Sequence, residues 1–124
     1  QPTIYAAKDA VVSESANLKL YVDFHAHCTK RGCFIFGNTC ASPDTQYEAM
    51  LIPKLMSLNS VNFDSESATS KTEKQIVDKN GDSRDGSGRA VIFKETGSNP
   101  LTYTLEANYA TGVRINTLAP RFDS

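Results

Sequence analysis

The sequence predicts an α/β layered domain with a thin mixed sheet. Three observations predict it. Leu18, Leu20, Val22 and Phe24 alternate with Lys19, Tyr21, Asp23 and His25, the period of a strand. Tyr47, Met50, Leu51, Leu55 and Leu58 recur at helical spacing after Ser42-Pro43, a cap followed by a first helical proline. Segments of these two kinds then follow one another along the chain, which argues for helices layered on a sheet. About four strands and two or three helices are too few to cover both faces of a parallel sheet. The expected architecture is therefore a partial α/β/α layer, incomplete as given, with residues 1–124 forming part of a larger domain and leaving a strand edge exposed.

The elements are expected in this order. Pro2-Thr3 starts a short helix rich in Ala6, Ala7 and Ala10, and Asn17 stops it. The strand Leu18–Phe24 follows, with its four apolar residues facing a core. After the polar turn Thr29–Gly32, the run Cys33–Phe36 reads as a second strand closed by Gly37-Asn38. Pro53 lies inside the next helix and is expected to kink or divide it. Residues 65 to 88 read as a long polar loop, with Gln75–Val77 a short candidate strand. Lys79-Asn80-Gly81-Asp82 is a turn that lacks the remaining ligands of a calcium loop. Ala90–Phe93 and Leu101–Ala107 read as strands joined by the turn Thr96–Pro100, and the tail from Val113 shows no clear element.

Thirteen basic residues stand against 14 acidic ones, a net charge of −1, which leaves no electrostatic footprint for nucleic acid. No apolar run is long enough to span a membrane, and the N-terminus lacks the pattern of a signal peptide. Cys28, Cys33 and Cys40 are odd in number and form no C-x-x-C pair, so free thiols in a reducing compartment are expected. Metal-ligand chemistry is concentrated in Leu18–His27. Asp23, His25 and His27 share one strand face there, and a carboxylate beside a histidine is a common way to present an imidazole to a metal. The same residues also suit an ordinary strand end bonded to backbone. Cys28, next to His27, is within reach of the same site.

Read together, four segments resemble a known family. LYVDFHAHCTKRGCFIFGN resembles the D-L-H-G-H-S-x-K-x-x-x-F-x-Y-G segment of the cytosolic carboxypeptidases, a branch of the zinc metallocarboxypeptidases. TQYEAMLIPKLMSLNS, GSGRAVIFK and LTYTLEANYATG follow in the order and approximate spacing of that family, so the match runs from about Ile4 to about Asn116. Within the family, the likeness is to the subtype that removes branch-point glutamates from tubulin.

The resemblance implies a mixed sheet of the zinc carboxypeptidase type, a zinc cofactor, acidic glutamate-rich tails such as tubulin's as substrate, and a cytoplasmic location. It implies that His25 is a zinc ligand, that Glu106 is the catalytic general base, and that Arg89 lines the pocket for the glutamate side chain. Asp23 and His27 are implied as accessory groups, and Lys30 and Arg31 suit an acidic peptide equally well as a solvated turn. Ala26 replaces the family's usual glycine. The family's H-x-x-E, which supplies two zinc ligands, and its N-x-N-R do not occur among these residues. The likeness is thus to the C-terminal half of a catalytic domain, expected to be inactive without the missing half. Two alternatives remain: a catalytically dead binding module for acidic tails, and a D-x-H-x-H amidohydrolase, whose barrel needs about 250 residues.

Overall fold

The structure is a computed structural model. It describes residues 2–66, 69–70, 86–99, 101–110 and 112. The element order is α1 (Pro2–Ser13), β1 (Tyr21–His27), β2 (Cys33–Gly37), α2 (Pro43–Asn59), β3 (Thr69–Ser70), α3 (Gly88–Glu95) and β4 (Thr102–Asn108). The four strands form one mixed sheet in the order β1-β4-β2-β3. β1 runs parallel to β4, β2 antiparallel to β4, and β3 parallel to β2. The candidate strand Gln75–Val77, the turn at Lys79 and the tail from Val113 lie outside the described residues.

Helices lie on both faces, as a partial α/β/α layer requires. On one face, Tyr103 reaches α2 and Ile35, Phe63 and Tyr103 form the core, with Ile52, Met56 and Leu105 packed against them. Burial pushes the Tyr103 phenol up to about 12. The other face meets α3, whose first residue, Gly88, lies against Tyr21 and Asp23. Thr102 and Thr104 are buried. α1 docks through α3, where Lys8 pairs with Glu95 at 2.9 Å.

Four expectations are corrected. Ala90–Phe93 is not a strand but the body of α3. Its β-branched run suits a strand by propensity, but Ser87 caps a helix by accepting from the Ala90 N–H, and Gly97 at φ +71° closes it. β1 begins at Tyr21 rather than Leu18. Asn99 sets that start: its side chain donates to the Leu18 carbonyl, while the Tyr21 N–H bonds the Leu101 carbonyl. Leu20 and Phe24 do not enter a core, and Phe24 is 76% exposed: α2 packs on β2 and meets β4 through Tyr103.

Pro53, finally, does not divide α2. A proline there supplies no N–H to the carbonyl four residues back, which is that of Ala49. The Tyr103 hydroxyl donates to that same carbonyl at 2.9 Å, so the buried acceptor keeps a partner and the helix runs on to Asn59.

Candidate active site

His25 and Glu106 are opposite each other in the parallel β1–β4 pair, near the carboxyl ends of both strands. That is where open α/β sheets commonly place their ligands. Alternation puts Tyr21, Asp23 and His25 on the α3 face of β1, and Thr102, Thr104 and Glu106 on the same face of β4. α3 covers the start of this row, and His25 lies past its cover, with its side chain 50% exposed. Glu106 is more enclosed, 14% exposed, and is no solvent-facing strand charge.

The geometry orders the imidazole. His25 Nε2 is 2.9 Å from Asp23 Oδ2, and Nδ1 is 3.9 Å from Glu106 Oε1. A carboxylate only accepts, so Nε2 donates to Asp23, and Nδ1 stands on the Glu106 side. A metal-ligating histidine typically has just this support, its second ring nitrogen donating to a carboxylate. The residues present therefore fit one ligand of a zinc ion with its orienting partner and a neighbouring base. Among the described residues, no group of three or more His, Cys, Asp and Glu is arranged to hold a metal ion by itself.

His27 has other neighbours. Its Nδ1 accepts from the backbone N–H of Thr29 at 3.2 Å and of Lys30 at 3.1 Å, and its ring meets Phe34 edge-on. This is the strand-end reading of a histidine bonded to backbone. Lys30 lies over the Phe34 ring, 4.9 Å from its centroid. Cys28 is an exposed free thiol, and burial raises the thiols of Cys33 and Cys40.

Arg89 stands in the first turn of α3. Its Nη1 donates to the Gly37 carbonyl at 2.7 Å and to Asn38 Oδ1. Asn38 in turn donates to the carbonyl of Thr102 at 3.1 Å and to its hydroxyl at 2.6 Å. This web sits at the level of Tyr21 and Thr102, four residues before His25 and Glu106 in the register, about 13 Å along the strands. The structure thus joins Asp23, His25 and Glu106 and places Arg89 one tier below. Sequence reasoning missed Tyr21, Asn38 and Gly88; only the Gly-Ser-Gly before Arg89 hinted at a close approach.

The comparisons give the class: the chain is homologous to a segment of proteins named cytosolic carboxypeptidases. The relatives near 40% identity are named cytosolic carboxypeptidase-like protein 5. The Rattus norvegicus protein is 41% identical over 114 residues, 90% of this chain and 14% of that protein. The Danio rerio protein is 40% identical over 117 residues, 93% of this chain and 13% of that protein. Cytosolic carboxypeptidase 6 of Homo sapiens is more distant, 26% identical over 122 residues, 95% of this chain and 23% of that protein. The chain spans about one-seventh of the length of the first of these relatives. No family model matches it. No described helix is long and apolar enough to cross a membrane.

Proposed function

We propose that this chain carries part of the centre of a zinc metallocarboxypeptidase, acting in the cytosol, that removes C-terminal or branch-point glutamates from acidic protein tails such as those of tubulin. The observation that carries the reading is the His25 ring, fixed by Asp23 through Nε2 with Nδ1 facing Glu106 at 3.9 Å. His25 would hold zinc through Nδ1, and Asp23 sets the ring's tautomer and orientation. Zinc, when bound, polarises the scissile carbonyl and lowers the pKa of water to about 7. Glu106 takes the proton from the attacking water and delivers it to the leaving amine, a role worth about 10²–10⁴-fold. Arg89, its guanidinium braced by Gly37 and Asn38, receives the glutamate side chain, and Lys30 and Arg31 draw in the acidic tail.

A catalytic zinc usually has three protein ligands. The H-x-x-E pair that the resemblance implies is not among these 124 residues. The remaining ligands are therefore assigned to the other part of the domain, and the chain alone is expected to bind zinc weakly and to be inactive. The amidohydrolase alternative loses ground because β2 is antiparallel to β4, whereas a (β/α)₈ barrel is all parallel.

A chimera in which this chain replaces the matched segment of the rat relative tests the reading. It is expected to bind zinc and to release glutamate from a glutamate-tailed peptide. Glu106→Gln should lower turnover about 10²–10⁴-fold with zinc content unchanged. Cleavage at the parent rate by the variant would make Glu106 a strand charge and overturn the assignment.

A further inference from the structure

Gly88 opens α3 without a positive φ, so backbone conformation does not call for glycine there. Space does. A Cβ on Gly88 would stand 3.0 Å from Asp23 Oδ2 and 3.2 Å from the Tyr21 hydroxyl, close enough that both side chains would have to give by a few tenths of an ångström. A Cβ on Gly86, two residues earlier, would meet nothing within 4 Å. The atom met first on Gly88 is the same carboxylate oxygen that stands 2.9 Å from His25 Nε2.

We propose that Gly88 is a positioning residue for His25: by carrying no side chain, it lets the first turn of α3 close onto Asp23 and Tyr21 and holds the Asp23 carboxylate where it fixes the imidazole. The carboxylate can yield only by moving relative to His25. Asp23 is set by strand pairing to Thr104, and rotating its side chain away from a Cβ opens the contact to His25. The Tyr21 ring closes the other side. Burial, and then the nearby Asp23 charge, raise the Tyr21 phenol. The proposal deepens the metallocarboxypeptidase reading in that the ring being fixed is the proposed zinc ligand, but the steric linkage stands on its own geometry.

The test is imidazole ¹⁵N–¹H NMR on the 124-residue chain at about pH 8, where an ordinary histidine is neutral. There are two histidines, so His25→Gln assigns both, and His27 serves as an internal control. In the parent, His25 is expected as the Nε2–H tautomer with a protected Nε2 proton. Gly88→Ala should mix the tautomers and expose that proton while leaving His27 unchanged. It should also weaken Co²⁺ binding about 10-fold, the lower end of what lost support of a ligand costs. In an Asp23→Ala background, Gly88→Ala should add no further change at His25, because the carboxylate that links the two is gone.

Unaltered His25 signals in Gly88→Ala would overturn the proposal, and so would an equal change in both backgrounds, which marks a general packing role. If Gly88→Ala fails to fold, the double variant with Asp23→Ala loses the closer of the two contacts and is expected to fold; failure of both also overturns it. Should Glu106→Gln stay fully active in the chimera, the reaction reading falls, and this coupling is still decided by the His25 spectra.

Discussion

Arg89 is held by the Gly37 carbonyl and Asn38 on one of its guanidinium nitrogens, so its head is ordered before a ligand arrives. A planar, pre-ordered fork suits a carboxylate better than a mobile ammonium. In the chimera, Arg89→Ala is expected to cut kcat/KM for a C-terminal glutamate about 10–1,000-fold, since truncating one partner of a desolvated charge pair costs about 2–5 kcal/mol and the partial exposure of Arg89 lowers that cost. It should also narrow the preference for glutamate over glutamine. Assaying both peptides separates recognition from bracing: an equal loss on both would make Arg89 a strut between α3 and β2, with Lys94 the next residue to try. At this scale the sequence was informative about His25, Glu106 and Asp23, because strand alternation and the family motifs both act over a few residues. Tyr21, Asn38 and Gly88 escaped it. Their importance comes from contacts such as Asn38 to Thr102, 64 positions apart, which no local pattern encodes.

Elements follow the same division. The Ser42-Pro43 start of α2 was readable because a cap is local chemistry, and Ser42 does accept from the Thr45 N–H. In Ala90–Phe93 the β propensity of the run points to a strand, while the Ser87 cap and the Gly97 terminator, two weaker signals that agree with each other, point to the helix that forms. Pro53 was expected to break its helix because the group that compensates lies on β4. That compensation makes a prediction. Tyr103→Phe leaves the buried Ala49 carbonyl without its donor and should cost about 1–3 kcal/mol by urea denaturation. In a Pro53→Ala background, residue 53 supplies its own N–H to that carbonyl, and the same substitution should cost markedly less. A double-mutant cycle with no coupling between the two sites would show that Tyr103 and Pro53 are unrelated.

For the whole molecule, the exposed apolar surface lies where the described layers end. β1 stands at one end of the described sheet, Phe24 on it and Leu20 just before it are exposed, and Tyr47, Leu51, Leu55 and Leu58 form an exposed stripe on α2. The chain studied alone is expected to self-associate with rising concentration, and Phe24→Lys should shift it toward monomer in sedimentation velocity because the site is already solvent-accessible. A monodisperse parent across the range would contradict this. Strand alternation identified which residues share a face of β1, but which face a helix covers is decided by the assembly of distant segments.

The parallel pairing of β1 with β4 also bears on when the site comes into being. Its first strand is near the start of the chain and its last near the end, with His25 and Glu106 81 positions apart. No hairpin leads one to the other, so the ends must find each other by loop closure, whose entropic cost rises by about 0.6 kcal/mol for each doubling of length. Pairings of such high contact order are slow and tend to follow local structure such as α2. The His25–Glu106 pair is therefore a late product of folding: intermediates that already contain helices and the β2 strand have an imidazole and a carboxylate far apart, and the two meet only once the chain has closed on itself.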